Sequence, residues 1–544
     1  MMHILLYVPG NQTTGNFVPQ LWPFILERLT PAEHRVSIVD GNVFRYSPAE
    51  LCGFVRANRV DLMGMGFMTR MTQKAYAMAD AVRKSTGVPI VMGGPHVTAV
   101  PDEPLGRSGG PRYADAVVLG EADGIWPSVV CDASNGRLAE IYRPARIDGR
   151  DVKPSLARYP VVPWDEMDLE SFDLMRFIPR PVKALLKKAG VGFEKAYVIP
   201  VESGRGCPYG CEFCTVTGFF GDSVRFREVE NVLSELKRLK ALARKKNALV
   251  MVFFVDDNFA INRKRTKALL SSMIAEDVCL PWVGQISANL LGDEELLDLC
   301  AASGCRWIFI GLESLDPVSL KAAQKGFNKP ASYASALQSL AAHDICAIAS
   351  FIYGMEGDSP GVSARTAAEI DTWPPGLPVF GLLTPYPATP LYERLEKEGR
   401  LTRPRHWLDF QAFKMAFTPR GLTPDEAEAE VRHSWNHCYS PGAFRRAQRW
   451  LVDNRKPFAH QLMHLTSRLL FRGIYFRQSN RTAWLKLLAS NAPSLFSLAR
   501  SGFVEWRSHR ARKAVRPAVL AKDLQTSPAS GDRLGTSIGN PPPG

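Results

Sequence analysis

The chain has 544 residues, of which 46% are apolar and 22% are charged. This balance is typical of globular proteins and excludes a fibrous or wholly disordered chain, and the length predicts two large domains or more. No run of 18 apolar residues occurs, which argues against a membrane span. The net charge of +13 is concentrated between residues 441 and 520, where sixteen Lys or Arg face two acidic residues.

The N-terminal sequence MMHILLYVPG has neither a basic region nor a small-residue cleavage site. We therefore expect a strand there and not a signal peptide. Seven of the ten cysteines occur singly along the chain, which does not resemble a disulfide framework. Both features favour a reducing compartment, and we expect a cytoplasmic protein.

Residues 1–140 alternate short apolar runs with amphipathic segments, which predicts a parallel, doubly wound α/β sheet of Rossmann-like type. The predicted strands are residues 3–9, 35–40, 62–68, 89–95 and 114–120. Ligands of such sheets bind at the carboxyl ends of the strands. These ends carry the sequences PGNQTTGN, MTR, GGPH and GEAD, whose small and polar residues suit a ligand held close to backbone.

The remaining chain divides into four predicted regions. Residues 141–195 form a Pro-rich linker with one short helix near 182–189, and residues 196–400 form six βα units of a partial (β/α)6 barrel. The barrel strands are predicted at 197–203, 249–257, 281–287, 307–314, 346–355 and 379–387. Residues 401–520 are predicted to be helical and basic, and residues 521–544 have the composition of a disordered tail.

Three cysteines follow the first barrel strand in the sequence SGRGCPYGCEFC, as Cys207, Cys211 and Cys214 with C-x3-C-x2-C spacing. Three thiolates this close together can bind a soft metal or an iron–sulfur cluster. A zinc site would need a fourth ligand, and no nearby His or Cys has suitable spacing. Three unrelated buried thiols remain the structural alternative. A four-iron cluster with three protein ligands would leave one iron open to a substrate or cofactor.

This motif, after the first strand of a partial barrel, resembles the radical S-adenosylmethionine (SAM) superfamily over roughly residues 197–390. The resemblance implies that Cys207, Cys211 and Cys214 hold a [4Fe–4S] cluster whose open iron chelates SAM, and that reductive cleavage gives a 5′-deoxyadenosyl radical. It implies SAM contacts at Phe213, Asp256, Asp257, Gln285, Glu313 and Gly354. The alternatives are a core position for Phe213, a helix N-cap for the aspartates and a surface position for Glu313. No catalytic acid or base is assigned.

The predicted first sheet resembles the cobalamin-binding domain of class B radical SAM enzymes. The implied cobalamin contacts are Thr69, Gly93, Gly94, Pro95, His96, Gly120 and Glu121. A D-x-H-x-x-G motif is absent, so we do not expect a lower axial histidine. We expect His96 to be a hydrogen-bonding loop residue and not a cobalt ligand. Another nucleotide in this sheet is an alternative, although the sequence has neither a G-x-G-x-x-G motif nor a P-loop there.

Together the two resemblances imply a cobalamin-dependent radical SAM enzyme. Its expected reaction is methylation of an unactivated carbon in an apolar small molecule, lipid-like or tetrapyrrole-like, with electrons from an external flavodoxin-type or ferredoxin-type donor. The alternatives are oxidation or cyclisation without methylation, an RNA-modifying radical SAM methyl(thio)transferase, and a binding protein without catalysis. The basic segment 441–520 is apolar-faced and shows no β-rich module, so it favours an anionic membrane surface or packing on the barrel over nucleic acid.

Overall fold

Two parallel sheets followed by a group of helices make up the fold. The structure is a computed structural model that describes residues 1–11, 18–157, 159–178, 180, 183, 187, 192–402, 407, 410, 413–475, 481–505 and 507. Most of the predicted PGNQTTGN loop, most of the linker helix predicted near 182–189 and the whole predicted tail lie outside the described residues.

The first sheet has six parallel strands in the order β2-β1-β3-β4-β5-β6. Its elements are β1 (His3–Val8), α1 (Leu21–Leu29), β2 (Arg35–Asp40), α2 (Pro48–Ala57), β3 (Leu62–Gly66), α3 (Thr72–Thr86), β4 (Ile90–Gly93), α4 (Pro95–Ala99), β5 (Ala116–Val118), α5 (Trp126–Ser134) and β6 (Ile141–Tyr142). Every residue of β1 is buried, as expected for a parallel sheet covered on both faces. The five predicted strands are confirmed, and β6 adds a sixth from residues that we had assigned to the linker.

The linker connects the two sheets mainly through side chains. It contains a short hairpin of β7 (Arg146–Ile147) and β8 (Arg150–Asp151). The indole of Trp164 packs on the Phe24 ring of α1, with ring centroids 4.9 Å apart. Its Nε1–H donates a hydrogen bond of 2.8 Å to Glu235 in the second sheet's helical layer. The fully buried Trp164 therefore contacts both halves of the protein.

The second sheet also has six parallel strands, in the order β16-β15-β14-β13-β12-β9, and confirms the predicted partial barrel. Its strands are β9 (Lys195–Val201), β12 (Ala248–Phe254), β13 (Trp282–Gln285), β14 (Cys305–Glu313), β15 (Cys346–Tyr353) and β16 (Val379–Leu382), and a short antiparallel ribbon of β10 (Gly204–Arg205) and β11 (Arg225–Phe226) follows β9. The helices are α6 (Thr215–Phe220), α7 (Val229–Lys245), α8 (Arg263–Ala275), α9 (Glu294–Ala302), α10 (Pro317–Ala322), α11 (Tyr333–Ala342), α12 (Val362–Ile370) and α13 (Pro390–Lys397).

Aromatic packing fixes the barrel strands relative to one another. Phe254 at the end of β12 lies against Trp282 of β13 at 5.5 Å between ring centroids, and Phe259 lies 5.2 Å from the same indole. All three side chains are buried. Adjacent strands pair in parallel from β9 to β16, so their carboxyl ends form one rim.

The C-terminal region contains five helices among the described residues from 424 onward. Its helices are α14 (Pro424–Cys438), α15 (Pro441–Asp453), α16 (Phe458–Tyr475), α17 (Arg481–Ser490) and α18 (492–505). Helix α14 is joined to the barrel by side-chain donors, since Trp435 Nε1–H donates to the Phe380 carbonyl at 2.9 Å and the Tyr439 hydroxyl donates to the Pro378 carbonyl at 3.0 Å. We predicted helix from residue 401, but Leu401 forms an isolated antiparallel bridge with Phe417, and the first α-helix that the structure describes after it begins at Pro424.

Replacing Trp164 tests the connection between the halves. Trp164→Ala should lower the free energy of the first urea unfolding transition by about 3–5 kcal/mol, because it leaves a cavity between α1 and the barrel. Trp164→Phe keeps most of the packing but removes the N–H donor to Glu235, and we expect a loss of about 1–3 kcal/mol. Circular dichroism would follow the urea unfolding of both variants and of the unaltered protein. Equal stability of the alanine variant and the unaltered protein would contradict this role.

Candidate functional site

Two carboxylates at the end of β12 hold the backbone that leads into the three cysteines. Asp256 accepts hydrogen bonds from the Ser203 N–H at 2.7 Å and from the Ser203 hydroxyl at 2.6 Å. Asp257 accepts one from the Gly206 N–H at 2.8 Å. Burial raises the pKa of Asp256 to about 7 and that of Asp257 to about 6. Both oxygens of Asp256 are thus engaged by the loop, so the predicted SAM contacts at 256 and 257 also position the cysteines.

The alternative that these aspartates cap the next helix is wrong. Helix α8 is capped by Asn262, whose side chain accepts a hydrogen bond from the Arg265 N–H. The loop they hold has little freedom at Gly206, which has a φ of +92°. A Cβ atom there would lie 2.2 Å from the Ser223 carbonyl oxygen, so only glycine fits this close backbone approach.

The three cysteine thiols are neighbours at the rim. Cys211 is buried and Cys207 and Cys214 are half-buried. Burial, together with the other two thiols, raises the pKa of Cys211 to about 11, while Lys325 acts in the opposite direction. Among the residues that the structure describes, no three His, Cys, Asp or Glu side chains are grouped as ligands of a single metal ion. Cluster thiolates bind different irons and do not have to converge on one point.

A lysine that we did not predict lies beside these thiols. Lys325 is half-buried, and its Nζ donates a hydrogen bond of 2.6 Å to Glu313. Burial lowers the pKa of Lys325, but the Glu313 carboxylate and the Cys211 and Cys214 thiols outweigh burial and raise it. The sequence gives no motif for this lysine, because it reaches the rim only when the chain turns back after α10.

Glu313 lies at the rim, and the alternative that it is a surface acid is wrong. It is buried, has a φ of +65° and follows an irregularity in the pairing of β14 with β15. Its second oxygen, Oε2, is buried and has no hydrogen-bond partner among the described residues. A buried carboxylate oxygen without a donor fits an ammonium group of a bound ligand.

The other three predicted SAM contacts also lie near the carboxyl ends of the strands. Gln285 is the last residue of β13, and its side chain is half-buried. Gly354 follows β15 with a φ of +89°, and its N–H donates to Asp358 at 2.8 Å. Phe213 packs on a hydrophobic cluster that includes Met355, in agreement with the core alternative. Their roles toward SAM stay predictions.

The predicted cobalamin edge of the first sheet contains a buried, neutral histidine. His96 Nδ1 lies 3.2 Å from the Thr69 hydroxyl, and Nε2 lies 3.5 Å from the Tyr76 hydroxyl. Burial lowers the pKa of His96 to about 3. With both nitrogens facing hydroxyl groups inside the protein, His96 fits the expected hydrogen-bonding role better than cobalt ligation.

The turn at Gly94, two residues before His96, leaves no room for a side chain. Gly94 follows Gly93 and precedes Pro95 with a φ of +96°, and a Cβ atom on it would lie 2.8 Å from the Phe67 carbonyl oxygen. The Gly120 N–H, from the next strand end, donates to the Thr98 hydroxyl of α4 at 2.9 Å. The predicted contacts from Gly93 to Gly120 therefore share one surface.

This edge has the features that a large, partly apolar ligand requires. Met68 is 49% exposed directly after β3. The Tyr7 hydroxyl is buried without a hydrogen-bond partner in the described part of the chain, and it borders Gly41 at the end of β2. An apolar surface, a free hydroxyl and a glycine-lined turn fit cobalamin, which has an apolar macrocycle and peripheral amides.

The carboxyl edge of the first sheet faces the cysteine loop. Glu121, a predicted cobalamin contact, forms an ion pair of 2.8 Å with Arg205, two residues before Cys207. The His96 ring lies edge-on to Trp407, with centroids 5.9 Å apart, and α4 contacts α6. Arg70, beside Thr69, acts electrostatically on Tyr386 of the barrel. The two predicted sites therefore border the same space between the domains.

Three family models match separate parts of the chain. Residues 201–361 match the family model of the radical SAM superfamily, residues 9–130 match that of the B12 binding domain, and residues 389–493 match a domain of unknown function, DUF4070.

Two curated relatives and one solved structure illustrate the similarity. The bacteriochlorophyllide d C-12(1)-methyltransferase of Chlorobaculum tepidum is 27% identical over 87% of this chain and 94% of its own length. The hopanoid C-2 methylase of Rhodopseudomonas palustris is 26% identical over 72% of this chain and 67% of its own. The radical SAM methyltransferase TsrM from Kitasatospora setae, solved with cobalamin and a [4Fe–4S] cluster, superimposes with a TM-score of 0.56 at 18% identity, covering 79% of this chain and 81% of TsrM.

The raised pKa of Asp256 predicts a pH-dependent stability. The folded protein binds this proton more tightly than the unfolded chain, whose aspartate titrates near 3.8. The contribution of Asp256 is therefore fully present at low pH and is lost as the pH rises through about 7. Asp256→Asn cannot titrate. The apo protein should thus lose stability relative to this variant by up to about 1.4 kcal/mol per pH unit between about pH 5 and 7.

Urea titrations of both proteins at several pH values would measure this difference. Parallel stability profiles would show that Asp256 does not titrate in this range.

Proposed function

We propose that the chain is a cobalamin-dependent radical SAM C-methyltransferase, because residues 201–361 match the radical SAM family model and residues 9–130 match that of the B12 binding domain. Its proposed cofactors are a [4Fe–4S] cluster, SAM and cobalamin. One observation carries the proposal: the glycine-lined edge of the first sheet and the cysteine loop face the same space between the domains. A radical formed on one side would act on a substrate within reach of a methyl donor on the other.

Each part of the rim has a proposed task. Cys207, Cys211 and Cys214 bind the cluster, and Asp256 and Asp257 fix the loop that carries them. The free oxygen of Glu313 would accept a hydrogen bond from the ammonium group of bound SAM, and Lys325 would offer a cation to its carboxylate. When bound, the cofactors supply the radical and the transferable methyl group.

Aromatic side chains between the domains would restrict the entry of water. Trp407 is buried and lies against Tyr392 of α13, with ring centroids 5.6 Å apart, as well as against His96. Tyr386 is half-buried in the loop after β16, where burial raises its pKa. These rings suit an apolar substrate.

We propose a polycyclic apolar substrate of tetrapyrrole or hopanoid type. The relatives that act on bacteriochlorophyllide and on hopanoid support this class. The electron would come from an external flavodoxin-type or ferredoxin-type donor, as for other reductive cleavages of SAM.

We also propose that the C-terminal helices bring the enzyme to an anionic membrane surface from the cytoplasm. Leu485 is 65% exposed and Phe496 is 82% exposed, and Lys486 and Arg500 lie close to them in sequence. None of the helices that the structure describes is long and apolar enough to cross a membrane. Exposed apolar residues beside cations are typical of interfacial binding, and they would give the enzyme access to a lipid-soluble substrate.

Single cysteine variants test the cluster and the reaction together. Cys207→Ala, Cys211→Ala and Cys214→Ala should each lose cluster absorbance after anaerobic reconstitution, because each removes a ligand of one iron. Cys279→Ala, at an exposed cysteine outside the loop, is the matched control and should keep the cluster. The loaded enzyme should transfer label from methyl-labelled SAM to a bacteriochlorophyllide-type or hopanoid substrate, and the three loop variants should not.

A loop variant that retains the cluster would contradict the ligand assignment. Formation of 5′-deoxyadenosine and of a modified substrate without labelled methyl would instead support oxidation or cyclisation.

Flotation with vesicles tests the membrane contact. The protein should float with phosphatidylglycerol vesicles at low salt and stay behind with phosphatidylcholine vesicles. The double variant Leu485→Gln, Phe496→Gln should bind roughly tenfold more weakly, because two apolar side chains no longer enter the interface. Val318→Gln is the matched control, since Val318 is 66% exposed on α10 of the barrel. Equal flotation of all variants would contradict this contact.

A further inference from the structure

We propose that Arg205 is a positioning residue that couples the cobalamin edge of the first sheet to the cysteine loop, so that loading of either site stabilises the other. The proposal rests on the proposed function and deepens it. It concerns a group of five side chains, here called the Arg205 network: Arg205, Glu121, Asp123, Tyr159 and Glu202.

The Arg205 guanidinium joins three separate parts of the chain. Its Nε donates to Glu202 at 2.8 Å and its Nη1 donates to Glu121 at 2.8 Å. It also donates to Asp123 and to the Tyr159 hydroxyl, and it lies over the Tyr159 ring at 4.9 Å from the centroid. Glu121 and Asp123 belong to the first domain, Tyr159 to the linker and Glu202 to the barrel. A planar fork with five donors can serve all of them at once, which an ammonium cannot do in the same geometry.

A second arginine, Arg225, also binds the Glu121 carboxylate. Arg225 lies opposite Arg205 in the β10–β11 ribbon. Its Nη2 donates to the second oxygen of Glu121 at 2.7 Å, and its Nη1 donates to the Pro154 carbonyl at 2.9 Å. Glu121 is 3% exposed, so separation of the domains would leave a buried carboxylate and two arginines without their partners.

The network is directly connected to both cofactor sites. On the barrel side, Arg205 precedes Gly206 and Cys207, and the Gly206 N–H donates a hydrogen bond of 2.8 Å to Asp257. On the other side, Glu121 follows Gly120, whose N–H is bonded to Thr98 of α4. Helix α4 begins at the Gly94 turn, the predicted cobalamin edge. A short series of hydrogen bonds and backbone segments therefore connects the predicted cobalamin edge with the cysteine loop.

The consequence is a coupling free energy between the sites. A ligand that orders Gly94 to Gly120 fixes Glu121, and through it Arg205 and the backbone before Cys207. Reciprocity requires that the cluster then increase the affinity for cobalamin by the same factor. Couplings of this kind usually amount to about 5-fold to 150-fold in affinity.

The dissociation constant of hydroxocobalamin, measured on the full chain with and without the reconstituted cluster, tests the coupling. In the unaltered protein the cluster should tighten binding at least about fivefold. In Arg205→Lys the ratio should fall to near one while the iron content is retained, because lysine keeps the charge and loses the fork. Retention of the ratio in Arg205→Lys would overturn the proposal.

Arg227→Lys is the matched control. Arg227 is also buried, pairs with Glu235 at 2.6 Å and lies over the same Tyr159 ring at 5.4 Å. The side-chain hydrogen-bond partners described for it are Asn231, Glu235 and the Glu202 carbonyl, all within the barrel. This variant should be destabilised in a similar way but keep the ratio of dissociation constants. Loss of the ratio in this variant as well would reduce Arg205 to a merely structural role and overturn the proposal.

Hydrogen exchange gives a readout that requires no substituted arginine. Reconstitution of the cluster in the unaltered protein should slow amide exchange in residues 116–126 of the first domain. In Glu121→Gln, reconstitution should slow exchange in 116–126 less, while the amides of the cysteine loop stay protected. Unchanged exchange in 116–126 would overturn the coupling and leave the proposed function standing. A protein that binds the cluster but no cobalamin would overturn the proposed function itself.

Discussion

The backbone from Ser203 to Gly206 is held by carboxylates on two sides, and the arrangement of the site depends on this constraint. Asp256 and Asp257 bind it from the barrel, and Glu121 binds its Arg205 side chain from the first domain. The segment forms only the two-residue strand Gly204–Arg205, so regular structure contributes little to its position. These acceptors fix the backbone that leads into the three thiols relative to both sheets.

The polar character of this constraint explains how two independently folded sheets form one site. Apolar contacts such as Trp164 on Phe24 supply attraction between the domains but tolerate sliding. Buried ion pairs contribute less net stability, because desolvation offsets most of their attraction, but they penalise every arrangement that separates the partners. The Arg205 network therefore selects one relative position of two edges that are each open to ligands.

The fold was predictable from sequence because each strand is a short apolar run that ends in small or polar residues. The strand positions, the rim at their carboxyl ends and the place of the C-x3-C-x2-C loop follow from that local pattern. The partners of the rim residues were not predictable. Two aspartates after β12 give the same sequence signal whether they face a ligand or the Ser203 backbone, and Lys325 reaches the thiols only through the turn after α10. Glu121 lies in the expected loop, but its arginine partners are 84 and 104 residues further along the chain.

The C-terminal helices have polar contacts near the barrel and exposed apolar side chains farther along the chain. Near the barrel they attach through donors to backbone carbonyls, as Arg468 does to Cys438 at 2.8 Å and to Gly376 at 2.9 Å, with its guanidinium also lying over Tyr439 and Phe444. Farther along the chain, α17 and α18 expose Leu485 and Phe496. A region that needed only to cover the barrel would bury its largest apolar side chains against it. Exposing them beside cations instead is consistent with an anionic lipid surface as the second contact, reached without altering the rim.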